Sequence, residues 1–167
     1  MASVFVALGS NLGDRERNLS RAREALSQGV VAAGASSSIY ETEPWGPVAQ
    51  GRYLNQVVRG ETALAPRDLL AKLLEIERTL GRNRSREERY GPRTIDLDIL
   101  LHGDRAVREP DLQIPHPRML ERAFVLVPLM EIAPDTVIDD VPIADALSRL
   151  DRSGVVRFTN PRGEEPG

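Results

Sequence analysis

The run that most limits what this chain can become is TIDLDILL, residues 94–101. Ile95, Leu97, Ile99 and Leu101 alternate with Thr94, Asp96, Asp98 and Leu100, a period of two that predicts a strand. Side chains at i and i+2 of a strand share a face, so Asp96 and Asp98 project together. Two like charges held close repel, and a bound cation relieves them. Upstream the chain reads GRNRSREERYGPR, which interleaves Arg82, Arg84, Arg86, Arg89 and Arg93 with polar residues and places a Gly91-Pro92 turn before the strand. Fixed carboxylates beside an arginine-rich loop suit Mg²⁺ and a polyphosphate. A surface salt-bridge network is the alternative.

With 167 residues, one domain with a single core is the simplest organisation. Residues 1–158 are assigned to it and 159–167 to a frayed tail. A net charge of −3 gives no global attraction to nucleic acid or to a membrane surface, so the arginine cluster favours a small anionic ligand. The absence of cysteine excludes disulfides, thiolate catalysis and thiolate metal sites. The opening MASVFVALGS has no basic n-region, and no stretch of about 18 apolar residues occurs. The expectation is a soluble cytoplasmic monomer with no membrane and no nucleic-acid partner.

Ser3 to Leu8 predicts a buried strand, and Asp14 caps a helix to about Gln28. The glycine-bearing connection between them lacks the P-loop pattern, so a phosphate-binding turn and a plain turn both stay open. Val30 to about Glu43 predicts a second strand with a loose middle at Gly34 and Ser36–Ser38. The loop from Pro44 to Gly51 carries Trp45, either tucked onto the core or offered to a ligand. Along Tyr53–Thr62, Tyr53, Asn55 and Val57 share one face. They present an aromatic plane beside an amide, suited to a planar heterocycle, or a half-buried Tyr with an incidental Asn. Pro66 opens a helix, Leu69, Leu70, Leu73, Leu74, Ile76 and Leu80 form its apolar face, and Gly81 stops it. Glu77 stands at the unfavourable end of that helix dipole, neutralised by a nearby arginine or solvated. His116 is bracketed by Pro115 and Pro117, for structure or for chemistry. Arg118 to Met130 is helical in pattern, with Pro128 bending or ending it. Pro134–Pro142 reads as loop and Ile143–Leu150 as a last short helix.

The order β-α-β-β-α-β predicts an α+β, ferredoxin-like antiparallel sheet with helices packed on one face and a C-terminal helical extension. The first and third strands are then central, the aspartate strand lies beside the first, and the uncovered face carries Tyr53, Asn55, Asp96 and Asp98.

The runs ALGSNLGDR (7–15), YETEPWGP (40–47), YLNQVV (53–58), LLEIERTLGR (73–82), RYGPRTIDLDILLHGD (89–104), IPHP (114–117) and RAFVLVPLMEIAPD (122–135) carry a resemblance. In order and spacing they resemble the 6-hydroxymethyl-7,8-dihydropterin pyrophosphokinase family of folate biosynthesis. The resemblance implies transfer of pyrophosphate from ATP, as co-substrate, to the pterin hydroxymethyl group, with AMP released and two Mg²⁺ ions used. It implies that Asp96 and Asp98 bind both ions and that Arg82 and Arg93 hold phosphates as catalytic residues. Arg84, Tyr90, His116 and Arg122 fall on the nucleotide side, and Leu70 and Ile99 line the adenine pocket. The pterin stacks between Tyr53 and Phe124, its edge meeting Asn55, Thr42 and backbone near Glu43 and Trp45. Tyr90 stands where members often carry Trp, Glu43 where Pro or Val is common, and Pro117 where Tyr is frequent. The competing reading is a non-catalytic ferredoxin-like nucleotide- or RNA-binding module, which has no need of paired aspartates.

Overall fold

The computed structural model describes residues 1–43, 51–81 and 94–159. Strand β1 (Ala2–Ser10) leads into helix α1 (Arg15–Ser27), where Asp14 accepts the Arg17 N–H at 3.1 Å. Strands β2 (Ala32–Ser36), β3 (Tyr40–Thr42) and β4 (Tyr53–Thr62) follow, then α2 (Pro66–Thr79), which Pro66 opens and Gly81, at φ +102°, terminates. Strand β5 (Asp96–His102) carries the aspartates. Beyond it lie the hairpin β6 (Val107–Glu109) and β7 (Leu112–Ile114), a 3₁₀ turn at Met119–Glu121, and α3 (Ala123–Ile132). The chain continues through β8 (Val137–Ile138), β9 (Val141–Pro142), α4 (Ile143–Ser148) and β10 (Val155–Arg157).

The main sheet runs β10-β3-β4-β1-β5, with β2 also on β4, and every recorded pairing in it is antiparallel. Strands β1 and β4 are central and β5 lies beside β1. Alternation along the strands divides the apolar side chains between two cores. Val4, Val6, Leu8, Leu54, Val58, Leu97 and Ile99 pack against Leu19, Ala22 and Leu26 of α1 and Leu69, Leu73 and Ile76 of α2. Phe5, Val57 and Leu100 face the other way, against Met119, Val125, Leu126 and Leu129, with Ile143, Ala146 and Leu147 of α4 behind.

The expectation of helices on one face only is therefore corrected. α1 and α2 cover one face, whereas α3 and α4 cover part of the other, drawn there by the apolar Phe5, Val57 and Leu100. The aspartate end of that face stays half-buried. The single strand expected over residues 30–43 is two, β2 and β3, both on β4. At Gly34 a Cβ would stand 2.2 Å from Arg59 O, so β2 meets β4 by direct backbone approach that only glycine allows. Pro128 neither ends α3 nor stands at its edge: it is buried inside a helix that continues to Ile132. Its ring packs in the interior while only Phe124 O loses an i+4 donor. The stretch expected as loop after Pro134 holds the β8–β9 hairpin, turned by Asp139 and Asp140 at φ 50° and 66°. Strand β10, which no apolar run announced, adds an edge beside β3.

Candidate active site

The register of three strands assembles the site. Asn55 of β4 stands opposite Gly9 of β1, and Gly9 opposite Asp96 of β5. In the next row Val57, Ala7 and Asp98 are opposite one another, and Thr42 of β3 faces Tyr53. Directly opposed residues share a face, so Thr42, Tyr53, Asn55, Asp96 and Asp98 all point one way. Between the aromatic-amide pair and the carboxylates lie only Gly9 and Ala7, and the missing bulk leaves a trough. At Gly9 an added Cβ would meet Asn55 Oδ1 at 3.2 Å and Tyr53 Cδ1 at 3.5 Å. Asn55 Nδ2 donates to Thr42 Oγ1 at 2.6 Å, which fixes the amide across the strands.

Helix α3 roofs the trough. Phe124 stands at its start, and the Arg122 guanidinium lies 5.5 Å from the Phe124 ring centroid. Tyr53, Asn55, Gly9, Asp96, Asp98, His116, Arg122 and Phe124 line one cleft. A second cleft opens on the far side of β5, lined by Leu70 of α2, Ile99 and Asp98 of β5, Asp111 and Gln113 near the β6–β7 hairpin, and His116 with Pro117. Asp98 and His116 belong to both, so they form the wall between them. A third hollow, lined by Thr42, Glu43, Arg118, Arg122 and Phe124, joins the first cleft at Arg122 and Phe124.

His116 is held by its backbone, whose N–H donates to Leu100 O at 3.0 Å, and its Nδ1 accepts the Arg118 N–H at 3.3 Å. Burial, with Arg122 and Arg118 nearby, pushes its imidazole down to about 4 against the opposing pull of Asp96. It is neutral near pH 7. Arg122 is lowered by burial, while Asp98 and Asp96 pull it back up. The cleft thus holds two carboxylates, a cationic guanidinium and a neutral imidazole in one electrostatic unit.

Beside its ladder with β1, the strand that bears the aspartates is gripped by side chains at Leu97 and at its entrance. Glu77, only 1 % exposed on the last turn of α2, accepts the Leu97 N–H on Oε2 at 2.8 Å. Ser10 Oγ donates to Thr94 O at 2.6 Å and accepts from Asn18 Nδ2 at 3.1 Å. Among the described residues no group of three or more His, Cys, Asp or Glu could hold a metal. A pair of carboxylates on one strand face fits Mg²⁺, which takes one or two protein carboxylates and completes its shell with water and phosphate oxygens.

The structure brings Asp96, Asp98, His116, Arg122, Tyr53, Asn55 and Phe124 together in the first cleft, and Leu70 and Ile99 in the second. Thr42 and Glu43 meet Phe124 at the third hollow. Trp45, Arg82, Arg84, Arg86, Arg89, Tyr90 and Arg93 lie outside the described residues. Sequence reasoning missed Ala7 and Gly9. Their signal was the fall in size along one face of the strand, from Phe5 to Ala7 and Gly9. Glu77 is buried and hydrogen-bonded to the strand rather than solvated.

A strand carboxylate, Asp98, in the wall between a ring-sized slot and an aliphatic cleft, with Asp96 beside it in the first, has the layout of a two-substrate transferase. The family model described as 7,8-dihydro-6-hydroxymethylpterin-pyrophosphokinase (HPPK) matches residues 5–134, and the chain belongs to that family. A 2-amino-4-hydroxy-6-hydroxymethyldihydropteridine pyrophosphokinase of Methylorubrum extorquens is 44% identical over 158 residues, covering 94% of this chain and 99% of the relative. Its Bacillus subtilis namesake is 50% identical over 130 residues, 77% of each chain. In fold, a wild-type Plasmodium falciparum HPPK-DHPS structure matches 89% of this chain with a TM-score of 0.69 at 15% identity. This chain spans only 43% of that longer one. The matched relatives give no support to a non-catalytic binding module.

Proposed function

We infer that this chain transfers the β,γ-pyrophosphoryl group of ATP to the hydroxymethyl group of 6-hydroxymethyl-7,8-dihydropterin, giving AMP and the pterin diphosphate for folate biosynthesis. The observation that carries this reading is the wall shared by Asp98 and His116 between the two clefts. A pterin in one and a nucleotide in the other would meet at the carboxylates.

In this reading the pterin lies between Tyr53 and Phe124, its edge on Asn55, Thr42 and the backbone near Glu43 and Trp45. Leu70 and Ile99 take the adenine. Arg82, Arg84, Tyr90, Arg93, His116 and Arg122 serve the nucleotide and its phosphates. Asp96 and Asp98 would hold two Mg²⁺ ions. When bound, Mg²⁺ neutralises phosphate charge and makes the attacking hydroxyl more acidic. The pterin oxygen attacks the β-phosphorus, the bond from that phosphorus to the α,β-bridging oxygen breaks, and AMP leaves with that oxygen. Asp96 is the candidate acceptor for the hydroxyl proton. Neutral His116, its Nδ1 taken by the Arg118 N–H, donates from Nε2 without adding charge, and Arg122 supplies a fixed positive charge where the phosphates would lie.

The reading extends to a ferredoxin-like frame with a C-terminal extension, one domain over residues 1–158 with a tail at 159–167, and a cytoplasmic monomer that needs no nucleic acid. Among the described residues no helix is long and apolar enough to cross a membrane. The test is product analysis with ATP and the pterin. AMP and a pterin diphosphate are expected; ADP with a pterin monophosphate would overturn the assignment.

A further inference from the structure

We propose that Glu77 is a positioning residue for the metal platform: by gripping the Leu97 N–H it fixes the Asp96–Leu97 peptide, and with it the stretch of β5 from which both carboxylates project. The inference rests on the reading of those aspartates as the Mg²⁺ platform.

Three observations carry it. β5 ends the strand order and pairs along one side with β1. Backbone donors on the other side of such a strand lack a ladder partner, and edge strands are the part of a sheet most easily displaced. Leu97 N–H is one of those donors, and it is taken by a side chain, not a strand. Second, Glu77 is a costly choice for the helix itself. A buried carboxylate on the last turn of α2 meets both a desolvation penalty and the negative end of the helix dipole. The core gives no reason for a carboxylate there, and the hydrogen bond to the Leu97 N–H gives one. Third, the strand's entrance is pinned separately, by Ser10 on Thr94 O with Asn18 behind it. Glu77 then acts on the Asp96–Leu97 peptide, within the stretch of β5 from which both carboxylates project.

The mechanism depends on the reach of an acceptor oxygen to the Leu97 N–H, and this separates it from a merely structural role. Glu77→Gln keeps an acceptor oxygen at the same distance. Glu77→Asp keeps the charge but falls one methylene short. Glu77→Met keeps the bulk and loses the acceptor. Each is measured for Mn²⁺ affinity by electron paramagnetic resonance with a non-hydrolysable α,β-methylene ATP analogue, for pterin affinity by calorimetry, for kcat and for thermal unfolding. Residues that orient metal ligands are worth about 10- to 100-fold in metal affinity or activity, so the Asp and Met variants should lose about tenfold or more in both while Gln stays within about threefold. Pterin affinity should not move. An Asp variant as good as the Gln variant, or a parallel loss of pterin binding, would overturn the proposal. So would unchanged Mn²⁺ affinity in a folded Met variant. If the Met variant does not fold, the Asp–Gln comparison decides alone. Asp98→Asn is run beside them. Unchanged Mn²⁺ affinity there overturns the platform reading and this inference with it. Lost affinity there, with wild-type behaviour of the Glu77 variants, overturns this inference only.

Discussion

Asn55 and Gly9 face each other across β4 and β1, and the Asn55 carbonyl oxygen lies 3.2 Å from where a Cβ on Gly9 would be. The amide can lean over the sheet only because that atom is missing. Gly9→Ala should therefore displace the Asn55 amide by a few tenths of an ångström, while the Tyr53 ring at 3.5 Å stays in ordinary contact. Overpacking of this kind costs about 1–3 kcal/mol, and here it falls on the slot. Calorimetry should show pterin affinity down by about tenfold or more with ATP affinity little changed. Equal weakening of both ligands would argue against the slot assignment.

Asp98 stands in both clefts and shares its face with Asp96. Asp98→Asn removes a charge needed where phosphate charge builds up, and turnover should drop by about 10³-fold. Rapid-quench measurement of AMP formation is the check, and near-normal turnover would contradict the platform.

His116 gives a pH signature. Its imidazole is pushed down to about 4, whereas an unfolded chain titrates histidine near about 6.5. Between those values the unfolded state binds the extra proton, so stability rises with pH there. The contribution is complete above about 6.5 and is lost as pH falls towards 4. Denaturation curves across that window should be flatter for His116→Gln than for the parent chain. Identical slopes would mean that His116 is not shielded as described.

Leu126 of α3 is fully buried in the second core. If that face is a true core, Leu126→Ala should cost about 2–5 kcal/mol, the range for removing a large buried side chain. A loss under about 1 kcal/mol, read by chemical denaturation, would make α3 a loosely attached lid.

Local elements were readable where one physical signal dominated. The alternation of Ile95, Leu97 and Ile99 places those three side chains inside and the two aspartates on the opposite face. Pro66 and Gly81 bracket α2, and Asp14 caps α1. Other features depend on partners far along the chain. Phe5, Val57 and Leu100 look like ordinary strand residues, and only the return of α3 makes their face a second core. Pro128 reads as a bend or an end of its helix, and the sequence does not reveal the burial in which the helix continues to Ile132. Val155–Arg157 is too short for a period and becomes a strand by lying against β3. In the site, Asp96 and Asp98 were legible from spacing, whereas the Asn55–Gly9–Asp96 row needed the register of three strands. Glu77 was noticed for its awkward position on the helix, but its grip on Leu97 is a contact 20 residues away in sequence.

The wall that Asp98 and His116 form between the two clefts has a kinetic consequence. With both ligands against one partition, the transferred group needs no stop on the protein. Double-reciprocal plots at several fixed pterin concentrations should intersect, not run parallel. Labelled AMP should not be exchanged into ATP until the pterin diphosphate is present to return its pyrophosphate.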